Sequence, residues 1–251
     1  MQFRIIPVLL LSKQGLVKTR QFKNSIYLGD PINTVRILND KFIDELIILD
    51  IDAGKNKSGP DIKRIQIIVS ECFTPVTYGG GLRNLDDIKN ILRCGVEKII
   101  FGSNIFFNRN LILEAIKYLG SQSISLCIDY KIDVNKNRKV YVNNGIISTN
   151  QLLEIYLQNI FDLDVGEIIL QSIDNDGMSC GYDIEIIQSL SKKIKLPLLS
   201  LGGSRNIEDM KKCFYAGASG AAAGSQFVFF GEKKSILINY PDKEIINKFF
   251  N

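Results

Sequence analysis

Histidine is absent from all 251 residues, so proton transfer in this chain must fall to Asp, Glu, Lys, Tyr or Cys. The same absence removes Ser-His and Cys-His nucleophilic schemes and the usual zinc sites. Two groups of residues could carry chemistry. The first is a set of polar side chains at or beyond the ends of apolar runs: Asp50, Asp52, Asp129, Asp174, Asp176 and Gln171, with Lys18 in a polar stretch after the first such run. The second is a pair of glycine-rich loops, Gly80-Gly81 with Gly102-Ser103, and Gly202-Gly203 with Gly224-Ser225. Glycine lets an anion approach the backbone closely, and exposed N–H groups at a helix start favour negative charge. The two loops therefore predict two phosphate sites for a phosphorylated small molecule, with Lys18, Asp50, Asp176 and Gly177 close by. No metal and no cofactor is expected.

The elements that position these residues are themselves repeated. Pro75, Gly80, Arg83, Gly95 and Ser103 recur as Pro197, Gly202, Arg205, Gly217 and Ser225, each pair 122 positions apart. Glu45 and Asp52 recur as Glu167 and Asp174 at the same spacing. Each copy reads as strand, glycine loop, helix, strand and Gly-Ser loop, with Asn84 or Asn206 and the acids after it suited to a helix start. Such self-similarity means two copies of one structural unit.

Eight strands are predicted: 4–11, 45–51, 75–78, 99–101, 124–129, 167–172, 197–201 and 221–223. Helices between them are expected near 60–72, 109–119, 149–161 and 183–194, with Asp30-Pro31 opening the first helix and Asp242-Lys243-Glu244 the last. The segment with Gly15 and Lys18 reads as a mobile polar loop, and 131–145 as a small hairpin over the barrel mouth. Alternation of strand and helix with matching halves predicts an α/β protein, one closed (β/α)8 TIM barrel over 1–251, built of half-barrels near 1–120 and 121–251. Active groups then belong at the C-terminal strand ends.

Composition narrows the class. The chain is 45% hydrophobic and 23% charged, with a net charge of +4. That fits anionic small substrates and offers no basic stripe for nucleic acid. No apolar run reaches the roughly 18 residues of a membrane span. The N-terminus carries no signal-peptide pattern, and the five scattered cysteines read as reduced core thiols of a cytoplasmic protein.

Along essentially its whole length the chain resembles the cyclase subunit of imidazole glycerol phosphate synthase. The residues that carry the resemblance are Arg4-Ile5-Ile6-Pro7, Asp44-Glu45-Leu46 with Leu49-Asp50-Ile51, Thr77 with Gly79-Gly80-Gly81, Ile128-Asp129, Gly166-Glu167-Ile168 with Ser172-Ile173-Asp174, Asp176-Gly177 with Gly181-Tyr182-Asp183, and Gly202-Gly203. The resemblance implies a substrate with one phosphate per half-barrel. It also implies a glutaminase partner at the N-terminal face and passage of ammonia through the barrel. The family's four-charge gate maps onto Arg4, Glu45, Lys98 and Glu167, each at the start of its strand. Glu97 and Gly120-Ser121-Gln122 resemble the partner-facing surface.

The departure lies at the chemistry. Of the family's two essential aspartates, the fifth strand keeps Asp129, the expected catalytic residue, whereas the first strand has Leu10. Leucine moves no proton, and losing one positioned acid–base group costs about 10²–10⁴-fold in rate. Gln171, Leu201 and Gly102 also depart from the family's Thr, Ser and Asn. This pattern resembles a divergent branch in which the barrel works with a glutaminase and a separate sugar amidotransferase, sending ammonia to the N-acetyl group of a nucleotide-activated sugar for surface polysaccharide. Two alternatives stand beside it: a true cyclase of histidine biosynthesis, with Asp50 or Asp52 supplying the missing carboxylate, and a non-catalytic scaffold that activates a glutaminase.

Overall fold

The computed structural model describes residues 3–55, 58–231 and 235–250. The expected domain bounds at Met1 and Asn251 lie outside the described residues. Among the described residues, eight parallel strands close into one ring. They are β1 (Arg4–Ser12), β2 (Leu46–Asp50), β3 (Val76–Gly79), β4 (Lys98–Phe101), β5 (Ile124–Ile132), β6 (Glu167–Ser172), β7 (Leu198–Leu201) and β8 (Gly220–Ala223). Each pairs with the next in order; β5 with β6 joins the halves and β8 with β1 closes the ring. The chain is therefore a (β/α)8 barrel.

The helices lie outside the ring: α1 (Pro31–Asp40), α2 (Ile62–Ser70), α3 (Leu85–Arg93), α4 (Arg109–Leu119), α5 (Leu153–Gln158), α6 (Ile184–Ser191), α7 (Ile207–Tyr215) and α8 (Lys243–Phe250). Their starts follow from local chemistry. Asp30 caps α1 ahead of Pro31, and Asn84 and Asn206 cap α3 and α7 by accepting from the third residue onward. Parallel strands are buried on both faces, and Leu46-Ile47-Ile48 in β2 is continuous for that reason. One set of side chains packs outward under the helices. The other, with Ile6, Val8, Leu10, Ile47, Ile100, Cys127, Ile169, Leu199, Leu201 and Ala222, fills the lumen.

The repeat extends to individual side-chain bonds. Asp52 accepts from the amide of Lys13 past the end of β1 (3.1 Å), and Asp174 from the amide of Ile132 at the end of β5 (2.6 Å). The Arg83 amide donates to Asp87 (3.0 Å) as that of Arg205 does to Asp209 (3.1 Å). Asp52 and Asp174 thus tie strand ends in place, which is structural work.

Two segments differ from expectation. The residues after β1 form an antiparallel hairpin, Gly15–Arg20 against Lys23–Gly29, in place of a loop. The cause is β1 itself, which turns back at Lys13-Gln14 and pairs Leu10 with Val17, so that Lys18 is 6% exposed. The helix expected over 149–161 is only Leu153–Gln158, because Ile147–Leu152 extends the second hairpin by pairing with Arg138–Val142. That second hairpin was expected, and its turn uses left-handed Asn143, Asn144 and Gly145. The two hairpin tips meet where the Phe22 ring lies against Gly145.

All five cysteines are free; Cys127 and Cys213 are buried, whereas Cys180 is exposed on the loop after β6 and is no core thiol. Among the described residues no helix is long and apolar enough to cross a membrane, and no group of three potential metal ligands occurs.

Candidate functional site

At the N-terminal end of the strands, Arg4, Glu45, Lys98 and Glu167 come together. Arg4 Nη2 lies 2.6 Å from Glu167 Oε2, and its Nη1 3.0 Å from Glu45 Oε2. Lys98 Nζ is held more loosely, 3.5 Å from Glu45 and 4.0 Å from Glu167. The signs alternate around the ring, so no charge is left bare. Thr77 Oγ1 donates to Glu45 (3.2 Å) and Ser125 Oγ to Glu167 (2.7 Å). Burial alone would raise the Glu167 carboxyl, but Arg4, then Lys98, and the bonds from Arg4 and Ser125 hold it below the usual range.

These two hydroxyls support the ring without being among the expected site residues, although Thr77 stands in the motif with Gly79-Gly80-Gly81. The signal is strand alternation: Ser125, Cys127 and Asp129 point one way along β5, as Glu167, Ile169 and Gln171 do along β6, and Ser125 pairs with Glu167 in the register. Above the charged layer the lumen is apolar up to Leu10, Leu201, Gln171 and Asp129.

At the C-terminal mouth, Asp129 neighbours Gln171 of β6 and Tyr141 of the second hairpin in the sheet register. Cys127 Sγ lies 3.8 Å from Asp129 Oδ1 and 3.5 Å from Gln171 Oε1. Burial pushes the Asp129 carboxyl up to about 7; the Cys127 contact lowers it and the charge of Asp176 raises it. A carboxyl in that range takes and gives a proton near neutral pH. Leu10 is buried in the lumen cluster with Cys127 and lines one cleft with Gln171, and the carboxylates Asp50 and Asp52 are committed elsewhere.

The second glycine loop lines a cleft with Val8, Leu10, Lys18, Gln171, Asp176, Gly177, Leu201, Gly202, Gly203, Ser204, Ala223, Gly224 and Ser225. Lys18 Nζ donates to the Val8 carbonyl (2.9 Å) and packs so close to Gly224 that a Cβ there would lie 1.7 Å from it. Burial lowers the Lys18 ammonium to about 8 against the opposing charge of Asp176. Asp176 accepts from Thr19 Oγ1 (2.9 Å), and burial holds its carboxyl above the usual range despite Lys18.

Gly203 has φ +107°, and a Cβ on it would stand 2.1 Å from the Gly181 carbonyl oxygen. Gly203→Ala is therefore expected to lower stability by about 1–3 kcal/mol, read from the urea unfolding midpoint. An unchanged midpoint would mean that the loop relocates freely.

The first glycine loop is differently placed. A Cβ on Gly81 would lie 2.5 Å from that of Ala53, in the short helix Ile51–Lys55, and Ser103 Oγ accepts from the Asn143 amide (2.8 Å). Gly102 meets nothing closer than 3.8 Å at its Cβ position.

These features define a class: a barrel duplicated from two half-barrels, with a charged ring at one end of an apolar lumen and an acid-bearing cleft at the other. The chain belongs to the histidine biosynthesis protein family, which matches residues 4–234, and within it the chain is HisF-like. It is 45% identical to a Leptospira borgpetersenii protein provisionally named imidazole glycerol phosphate synthase subunit HisF, over 97% of this chain and 98% of that one. A Pseudomonas aeruginosa protein, provisionally named imidazole glycerol phosphate synthase subunit hisF2, is 38% identical over 95% of this chain and 96% of its own. The Wolinella succinogenes imidazole glycerol phosphate synthase subunit HisF, named without that qualifier, is 36% identical over 89% of each.

Proposed function

We propose that this chain is the barrel subunit of a cytoplasmic glutamine amidotransferase complex. A glutaminase docks at the N-terminal face, ammonia passes the ring of Arg4, Glu45, Lys98 and Glu167, and the lumen leads it to an acceptor at the C-terminal mouth. The acceptor in this reading is a nucleotide-activated sugar of surface polysaccharide synthesis, handled with a separate sugar amidotransferase.

The single observation that carries this reading is the contrast between the two ends of the lumen. The charged ring is complete and fully paired, whereas at the chemical end Leu10 lines the cleft with Gln171, the register neighbour of Asp129. Neutral ammonia loses little in an apolar passage, while ammonium would lose its hydration. Lys98 is the ring member with the longest bonds, so it is the one whose swing opens the passage. Phe42 and Phe73, 70% and 86% exposed, precede β2 and β3 on the same face and supply apolar anchors for a partner. At the mouth, Asp129 takes a proton from the ammonia nitrogen as the new C–N bond forms at the N-acetyl carbonyl carbon and returns it to the carbonyl oxygen, which leaves as water when its C–O bond breaks. Phosphate of the ligand sits against Gly202, Gly203, Gly224 and Ser225 beside Lys18.

A second reading, cyclase activity in histidine biosynthesis, is favoured by the pKa of Asp129, since one group near 7 can serve as acid and base in turn. One assay separates the two. The purified chain is given ammonium salt at alkaline pH and the bisphosphate substrate of imidazole glycerol phosphate synthase. Our reading expects turnover below about 0.1 s⁻¹, at least 10²-fold under the ordinary median of about 10 s⁻¹. Turnover at about 1 s⁻¹ or above would establish the cyclase instead.

A further inference from the structure

The two glycine loops are equivalent in sequence and unequal in space. In the second half, the cleft is bordered by Lys18, a buried cation, and Ser225 Oγ takes no protein partner among the described residues. In the first half the tip of the second hairpin stands against the corresponding residues. Ser103, the counterpart of Ser225, accepts the Asn143 amide with its hydroxyl (2.8 Å). Asn144 Nδ2 donates to the Ile51 carbonyl (2.9 Å), so the hairpin tip is pinned at the ends of both β2 and β4.

Charge divides the loops in the same direction. The residue that ends β2 is Asp50, and its Oδ1 accepts the amides of Asp52 (3.1 Å) and Ala53 (2.9 Å). The backbone of Asp50 lies against Gly80, where a Cβ would be 2.2 Å from the Asp50 carbonyl oxygen. At the matching place, 122 residues on, stands Ser172, which is neutral. Arg83, the basic residue of the first loop, is turned away in a two-bond pair with Asp87 (2.8 and 2.9 Å). A phosphate at the first loop would thus meet the Asp50 carboxylate, no free cation from Arg83, and a hydroxyl against which the hairpin tip already stands at hydrogen-bond distance, whereas in the second cleft the one carboxylate, Asp176, is opposed by the Lys18 cation.

We propose that this barrel anchors its ligand by a single phosphate-bearing end, at Gly202, Gly203, Gly224 and Ser225 beside Lys18, and that the Asn143-Asn144 hairpin tip takes the place of a second phosphate at Gly80, Gly81, Gly102 and Ser103. The ligand class is therefore a phosphomonoester or a pyrophosphate-linked compound whose other end is uncharged. This inference rests on the phosphate-binding part of the function proposed above.

The test is a titration of the ¹⁵N-labelled full chain with inorganic phosphate at pH 7 and constant ionic strength, followed through backbone amide shifts. The expected result is saturable shifts at Gly202, Gly203, Gly224 and Ser225, with Gly80, Gly81, Gly102 and Ser103 unmoved. Lys18→Met should weaken that binding by about tenfold or more, the worth of a charge-assisted bond. Saturable shifts at both loops would overturn the single-anchor inference and leave phosphate binding intact. Shifts at neither loop, in the unaltered protein, would sink the inference together with the phosphate reading beneath it.

Discussion

Asp129→Asn raises the stability of the barrel at pH 8 and leaves it unchanged near pH 3. Burial holds this carboxyl at about 7 in the folded chain, against an ordinary 3.8. Below pH 3.8 both folded and unfolded chains carry the proton, and the group does not favour either state. Between 3.8 and about 7 the unfolded chain sheds the proton while the folded chain keeps it, so stability falls as pH rises. Above that window the penalty is constant. A gap of about three units corresponds to about 4 kcal/mol, and residual solvent contact at Asp129 reduces the expected gain to about 2–4 kcal/mol. Urea unfolding of both proteins across pH 3–8 checks it. Parallel curves, with a difference independent of pH, would place the effect in packing and refute an ionisation penalty. The same property makes the residue useful, because a carboxylate that costs stability when charged is a strong proton acceptor at the mouth.

At the opposite end, Glu167→Ala is expected to lose about 3 kcal/mol at pH 7, the usual consequence of stripping one partner from a buried pair. Glu167 is 4% exposed and takes bonds from Arg4 and Ser125. Its removal leaves the Arg4 head with Glu45 alone. Because the folded carboxyl lies below its ordinary 4.5, its contribution is complete above that value and vanishes as pH falls through the depressed one. The deficit of the variant should therefore shrink in acid. Arg4→Met combined with Glu167→Ala should lose less than the two single changes summed, since both partners are then gone. Strict additivity would contradict a coupled ring. In the complex, the same variant should lower the fraction of glutamine-derived ammonia that reaches the acceptor, while added ammonium restores product.

Much of this architecture was legible in the chain itself. The 122-residue spacing identified the half-barrels, because equal sequences make equal local units. Asp30, Asn84 and Asn206 announced their helices through bonds that close within four residues. The ring of Arg4, Glu45, Lys98 and Glu167 was legible through the family resemblance of those four positions, and it forms because parallel strands bring their first residues to one level. The roles of Thr77 and Ser125 needed only the two-residue alternation applied one step further.

What the linear order could not contain were contacts between residues far apart with no shared periodicity. The meeting of Phe22 with Gly145, the burial of Lys18 against Gly224, and the capture of Ser103 by Asn143 depend on where two hairpins fall over the mouth. The proton affinity of Asp129 likewise comes from what surrounds it: burial first, with the Cys127 contact acting against it and the charge of Asp176 across the mouth adding to it. The sequence by itself determined the elements and their repetition, because hydrogen bonding and hydrophobic period act locally. Only the tertiary structure decided that two loops of one grammar differ, one beside a buried cation and one with the tip of a hairpin against it, because burial and charge are properties of assembled neighbours.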